Sequence, residues 1–401
     1  MSSTTMEQYG VEMLSTTVEK YGIEIPIGYE RFHPQDNMNY QMNRFYHLGY
    51  LLEGDIKKVA PNIKDLKSWQ KEFTALGKEI EQEGRLLHAS FSYRAAEFFT
   101  YSNDPQKKWL YEKFLTLFYE FFKDEKIEKI TIPYEGSFLH ALKFKPKSEK
   151  KGTVVVHGGG DSFVEEFFTM LTFFPDNGYE LIMFDGPGQG TSLHKYGYKM
   201  TYQWEKPASA VLDYFQLDDV TLIGISLGGY LAPRAAAFDT RIKRVVAFGI
   251  IGDFLQAFLN VMPFTSRVVL KSLLTLKAKG ILNKVMGKVT KKPDLVGQFF
   301  QWWLMQTSYM WDKRTPFEVL EEMKNYNSLK ISPLIKGDVL LLTGEEDIYT
   351  PFYEQQVKSL TNARSVEGRI FTKEENASMH CQVGNVPLAL EYILNWIEKK
   401  S

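Results

Sequence analysis

The sequence predicts an α/β fold: a mostly parallel sheet flanked by helices, preceded by a helical domain and interrupted by a helical insertion. Three observations carry this. Five short, continuously apolar runs alternate with helical segments, which is how strands buried on both faces of a parallel sheet read. The hydrophobic periodicity changes near residue 126, from helical spacing before it to strand–helix alternation after it. One apolar run leads directly into Gly224-Ile225-Ser226-Leu227-Gly228, the signature of a sharp strand–turn–helix junction.

Taken in order, Trp69, Phe73, Leu76 and Ile80 form one helical stripe, and Trp109, Lys113, Phe114, Leu117, Phe118, Phe121 and Phe122 suggest a second helix rich in aromatics. Asn103-Asp104-Pro105 is the start signal of the second helix, with proline at an early helical position. Residues 1–126 are therefore expected to form an N-terminal helical domain, and residues 127–401 a sheet-containing domain. From 127 onward, Ile127 to Pro133 and Leu139 to Phe144 flank Glu135-Gly136 as an antiparallel hairpin. The buried strands are Thr153–Val156, Leu181–Phe184, Val220–Ile225, Val245–Phe248 and Val339–Leu342. The rhythm breaks over about 253–329, where helical segments rich in Phe, Trp, Met and Leu stand in place of a strand. These are expected to cap the C-terminal edge of the sheet, where open α/β sheets bind ligands.

Bulk properties exclude several classes. The 401 residues carry a formal net charge of −1, so no global field draws the chain to nucleic acid or to an acidic membrane. The single cysteine, Cys381, cannot form an internal disulfide and suits a reducing, cytoplasmic setting. Met1–Gln8 has neither the basic start nor the apolar core of a leader, and no apolar run approaches the roughly 18 residues of a membrane span. There is no Cys/His cluster and no H-E-x-x-H, so neither a metal nor another cofactor is expected.

The chemistry is carried by residues far apart in sequence. Ser226 sits at the turn, where flanking glycines permit a tight backbone and lift the hydroxyl off the sheet. A serine hydroxyl is a weak nucleophile near neutral pH and needs a base, which in turn needs an orienting carboxylate. Asp347, in Gly344-Glu345-Glu346-Asp347 after a late strand, is the expected carboxylate, with Glu345 and Glu346 as alternatives and helix capping as the bland reading. His380 is the single histidine after Asp347 and stands in the order Ser, Asp, His. The oxyanion formed by attack on a carbonyl would be held by the N–H of Leu227 and by that of Gly159 or Gly160 in His157-Gly158-Gly159-Gly160-Asp161-Ser162. His157 is expected to brace that loop, and Asp185 to satisfy backbone donors in Phe184-Asp185-Gly186-Pro187-Gly188-Gln189-Gly190. Asp253 is read equally as a helix cap and as a substrate contact. Trp302, Trp303, Tyr309 and Trp311 could line an apolar site, although a cap needs an apolar underside in any case.

These residues together resemble the α/β-hydrolase superfamily over roughly residues 127–401. More narrowly, Arg94-Ala95-Ala96-Glu97-Phe98-Phe99, Asp161-Ser162 with Glu165-Glu166, and Pro233-Arg234-Ala235-Ala236 resemble a branch with an N-terminal helical domain. That branch includes FrsA-like esterases, the 2,6-dihydroxypseudooxynicotine hydrolase and fungal polyketide-shortening hydrolases. The resemblance implies a homodimeric carbonyl hydrolase, acting on esters or on carbon–carbon bonds of diketone-like compounds, with its pocket between the helical and hydrolase parts. It also implies an additional acidic residue near the pocket, for which Asp253 is the matching position. The expected substrate is a small apolar or aromatic carbonyl compound, with neither nucleic acid nor membrane as partner. Acyl transfer on the same three residues, and a non-catalytic binding protein on a hydrolase scaffold, are the competing readings.

Overall fold

A computed structural model describes residues 15–400, so the Met1–Gln8 stretch read above for a leader lies outside the described residues. The sheet has eight strands: β1 (Glu128–Tyr134), β2 (Ser137–Phe144), β3 (Gly152–His157), β4 (Tyr179–Asp185), β5 (Val220–Ile225), β6 (Ile242–Phe248), β7 (Asp338–Gly344) and β8 (Ser365–Phe371). Their spatial order is β1-β2-β4-β3-β5-β6-β7-β8. The first two pairings, β1 with β2 and β2 with β4, are antiparallel, and every other neighbour is parallel. The predicted hairpin turns through Glu135 and Gly136, both at positive φ (43° and 80°), as a two-residue loop matched to the twist of its strands requires.

Every residue of β4, β5 and β7 is buried, which is why these segments read as unbroken apolar runs. β8 was not visible in that pattern. It is a half-exposed edge strand whose sequence, Ser365-Val366-Glu367-Gly368-Arg369-Ile370-Phe371, mixes charges with apolar residues. The helices that position the site follow β5 (Gly228–Phe238) and close the chain (Val386–Lys400).

The chain divides into two compact units, one comprising residues up to Tyr29, Ile127–Ala257 and Tyr326–Ser401, the other Glu30–Lys126 and Phe258–Asn325. This differs from a sequential boundary at residue 126, and both differences have local causes. In the sheet-containing unit, Ser15 Oγ lies 2.8 Å from Thr172 Oγ1, Thr16 N–H donates to Asp176 Oδ2 at 2.7 Å, and Gly28 N–H donates to the Gly384 carbonyl at 2.9 Å. In the helical unit, the indole of Trp302 donates to the Phe98 carbonyl at 3.0 Å and stacks on the Phe98 ring at 5.3 Å. Trp302 also meets Phe99 edge-on at 5.0 Å, so the inserted helix Leu295–Trp311 shares an aromatic core with the helix Leu86–Phe98. The predicted stripe of Trp69, Phe73, Leu76 and Ile80 is buried in the helix Leu66–Gln82, and Asp104 with Pro105 starts the helix Pro105–Phe121 as read.

Candidate active site

β5 runs into the helix Gly228–Phe238 through Ser226, whose φ of +62° is the left-handed region that a residue with a Cβ enters at a cost of about 1–2 kcal/mol. The turn is tight enough that a Cβ on Gly224 would sit 2.1 Å from the Gly228 carbonyl oxygen. Ser226 N–H donates to the Phe248 carbonyl on β6 at 2.9 Å, and its own carbonyl accepts from Gly229 N–H at 2.7 Å. The backbone is held from both sides, so the direction of the Cα–Cβ bond that carries the hydroxyl is set by the fold.

The three residues predicted to act together meet at this turn. His380 Nε2 lies 2.9 Å from Ser226 Oγ, and His380 Nδ1 lies 2.5 Å from Asp347 Oδ2. Asp347 follows β7, and its second oxygen, Oδ1, accepts from Tyr349 N–H at 3.1 Å, which fixes the carboxylate plane. Glu345 and Glu346 are engaged elsewhere: Glu345 accepts from Lys373 N–H at 2.8 Å, and Glu346 from the Ser378 hydroxyl at 2.6 Å. Burial pulls the His380 pKa down, but the Asp347 carboxylate and the adjacent Cys381 outweigh it, and the imidazole is held well above its ordinary value.

The glycine loop after β3 packs directly on the turn. A Cβ on Gly159 would lie 2.7 Å from Leu227 N and 2.9 Å from Ser226 Cβ, so glycine is required there by close approach. The Gly159 N–H is already donated to Ser162 Oγ at 3.2 Å. The amides of Gly160 and Leu227 make no hydrogen bond among the described residues.

Two side chains hold this loop from beneath. Trp204 Nε1, which can only donate, gives its hydrogen to His157 Nε2 at 3.1 Å. His157 Nδ1 must therefore carry the ring proton, and it donates to the Gly158 carbonyl at 3.0 Å. Full burial lowers the His157 pKa to about 4, so the ring stays neutral. The bracing role read from sequence is the one it occupies. Gln189 was missed. Its amide nitrogen donates to the carbonyls of both Gly158 (2.6 Å) and Gly159 (2.9 Å), while its oxygen accepts from Gly186 N–H at 3.0 Å. A polar amide inside a turn made otherwise of small residues, with no charge to keep it in water, was the available signal. Asp185 satisfies backbone donors as expected, accepting from Thr191 N–H at 2.8 Å and Val164 N–H at 3.2 Å. Burial and the neighbouring Glu165 push its pKa upward.

Asp253 does not join this group through any hydrogen bond. Its Oδ1 caps the helix Phe254–Asn260 by accepting from Gln256 N–H at 2.9 Å, and its Oδ2 accepts from the Asn327 amide at 2.7 Å. Oδ1 thus serves the helix cap and Oδ2 is engaged by the Asn327 side chain. Trp302 and Trp303 belong to the aromatic packing of the helical unit, Trp303 stacking on Phe258 at 4.6 Å.

Residues 154–365, just over half of the chain, match the family model described as the alpha/beta hydrolase fold. The chain belongs to the α/β-hydrolase family. It is a hydrolase by its relatives as well. It is 26% identical over 407 residues to hydrolase acrC of Aspergillus aculeatus, an alignment covering 84% of this chain and 92% of that protein. Further fungal hydrolases match at 28% identity over about half their own length. Among solved structures, the 2,6-dihydroxy-pseudo-oxynicotine hydrolase superposes with a TM-score of 0.60 at 18% identity, over 87% of this chain and 93% of that one. AbyA5 superposes with a TM-score of 0.65 at 16% identity, over 91% of this chain and 95% of that one. At these identities the structural likeness establishes a shared α/β-hydrolase fold. No helix among the described residues is long and apolar enough to cross a membrane.

Proposed function

We propose that this α/β-hydrolase cleaves a small apolar or aromatic carbonyl compound, a carboxylic ester or a ketone C–C bond, through a covalent acyl-enzyme on Ser226. The observation that carries the reading is the continuous chain from Ser226 Oγ through both ring nitrogens of His380 to Asp347, at 2.9 and 2.5 Å. Ser226 Oγ attacks the carbonyl carbon while His380 Nε2 takes its proton, and Asp347 stabilises the resulting imidazolium. The oxyanion is received by the N–H groups of Leu227 and Gly160. Gly159 serves the loop rather than the oxyanion, because its N–H is committed to Ser162.

The tetrahedral adduct then collapses. In an ester the acyl C–O bond breaks, and in a 1,3-diketone the bond to the carbon between the carbonyls breaks. His380 returns its proton to the departing alkoxide or to the carbanion, which its own carbonyl delocalises. Water activated by His380 releases the acid and restores Ser226.

A fluorophosphonate probe tests the nucleophile: the native protein should label stoichiometrically and Ser226→Ala should not. Failure to label the native protein, or undiminished labelling of the variant, overturns the reading. Comparing turnover of a short p-nitrophenyl ester with that of an aryl 1,3-diketone separates the bond types. A cytoplasmic setting and a homodimer complete the proposal. The former draws on the unpaired Cys381 thiol, and the latter is tested by light scattering.

A further inference from the structure

The whole-chain charge of −1 conceals a segregated cationic surface. Between Asp253 and Asp294 the chain contains no acidic residue, yet residues 261–293 contain eight Lys and Arg. Net +8 there leaves −9 on the remainder of the chain (−1 less +8). These residues build the helices Phe264–Thr275 and Lys279–Val289 of the helical unit.

Each helix buries one stripe, Leu270 and Leu274 in the first and Leu282 and Met286 in the second. Both helices also carry open apolar side chains outside that buried stripe. Phe264 is 73% exposed, Leu276 76% and Ile281 60%, with Val268 and Val285 also exposed. Phe264 and Val268 are four residues apart, as are Ile281 and Val285, so each pair shares one side of its helix. Interleaved with them are the exposed Lys271, Lys277, Lys284 and Lys288, none of which makes an ion pair among the described residues; Lys279 is paired with Glu318.

Scattered exposed apolar residues need no explanation, but an outward apolar stripe framed by unpaired lysines does. We propose that this two-helix face lies on the surface of an anionic lipid bilayer, its Phe264, Leu276 and Ile281 side chains entering the acyl boundary and its lysines meeting the headgroups. Charge complementarity selects this occupant. A second copy would bring the same unpaired lysines, Lys271, Lys277, Lys284 and Lys288, against themselves, which repulsion opposes. A nucleic acid would satisfy the lysines but leave Phe264 and Leu276 without a hydrocarbon partner. The face is peripheral and requires no spanning helix, so it differs from the expectation of no membrane partner only in that the chain-average charge hid it. Such docking would hold the enzyme where apolar carbonyl compounds partition. The binding itself does not depend on how catalysis occurs.

The test is co-sedimentation of the full-length protein with phosphatidylcholine vesicles, with and without phosphatidylserine. Binding should be stronger with phosphatidylserine by on the order of tenfold or more. It should be lost near about 1 M salt, where the Debye length falls to roughly 3 Å. Phe264→Asp/Leu276→Asp and Lys284→Glu/Lys288→Glu should each abolish it, with native circular dichroism and melting retained. The proposal is overturned by equal binding to neutral vesicles, or by no binding at all. It is equally overturned if the folded variants bind undiminished, if the apolar pair of substitutions converts a dimer to a monomer, or if duplex nucleic acid binds this face while vesicles do not.

Discussion

The sharpest perturbation of the site is a single methyl group at Gly159. In Gly159→Ala the new Cβ would stand 2.7 Å from Leu227 N, 2.9 Å from Ser226 Cβ and 3.0 Å from the Ile225 carbonyl oxygen. None of these is the free end of a flexible side chain. Comfortable contact is about 3.5–4.0 Å, so the glycine loop and the Ser226 turn must separate by roughly 0.5–1 Å. An oxyanion donor works only within a window of about 2.7–3.1 Å, so that separation removes one donor, at a cost of about 10²–10³ in kcat, or roughly 2.7–4 kcal/mol. Overpacking should also lower stability by about 1–3 kcal/mol. The assay is steady-state hydrolysis of a p-nitrophenyl ester, with rates normalised to fluorophosphonate-titrated sites so that unfolded protein is not counted. Gly54→Ala is the control, because nothing lies within 4 Å of the point its new methyl would occupy and the residue sits in the helix Glu53–Val59. The expected result is a large fall in kcat with KM little changed. A kcat within about threefold of the native value in a fully titratable Gly159→Ala protein would refute the placement of the glycine loop at the reacting carbonyl.

Three more outcomes follow from the same geometry. Gln189→Glu is isosteric but replaces a donor with an acceptor facing the carbonyls of Gly158 and Gly159, so kcat should fall about tenfold or more and the melting temperature should drop, each unmatched buried group costing about 1–3 kcal/mol. Unchanged kinetics in that variant would remove Gln189 from any positioning role. The raised His380 pKa means the imidazole must lose a proton before it can act as base, so kcat/KM should rise with pH along a limb whose midpoint lies above 6.5. Asp347→Asn should lower that midpoint and cost about 10⁴ in kcat. The same shift contributes stability that is complete below the unfolded value of 6.5 and is lost as pH rises through the folded value. His157 has the opposite sign. It is neutral when folded, with a pKa of about 4, so its contribution is present above 6.5 and about 3 kcal/mol is lost as pH falls from 6.5 to 4. Urea midpoints measured across that range should show a flatter acid slope in His157→Phe than in the native protein.

The proximity of the candidate residues was largely legible because the proposed chemistry demands an order of residue types, and Ser226, Asp347 and His380 stand in that order at the ends of readable elements. Choosing Asp347 over Glu345 and Glu346 rested on spacing, and the structure adds the reason in the partners each carboxylate takes. The sequence does not distinguish Gly159 from Gly160, because which of the two amides Ser162 occupies is set by loop geometry that no local pattern reports. β8 escaped notice because an edge strand needs no unbroken apolar run, and the buried central strands were found because they do. The grouping of residues 258–325 with 30–126 was not legible either. Phe98 and Trp302 are separated by about two hundred residues, and no local periodicity reports which distant aromatic surface a helix will meet. The cationic stretch after Asp253 was countable from the start, but a chain-wide sum erased it.

The helical unit is built from two stretches separated by the 131 residues from Ile127 to Ala257. On a ribosome, residues 30–126 emerge first and must wait for the stretch that supplies Trp302 and Phe299 to Phe98 and Phe99. Trp302 follows Lys126 by 176 residues, so at about 5–20 residues per second that interval lasts roughly 9–35 seconds, during which aromatic surface on the nascent chain stands uncovered. Synthesis therefore creates a window in which holdase chaperones have something to bind. A fragment ending near residue 126 would lack the Trp302 and Phe299 rings that meet Phe98 and Phe99.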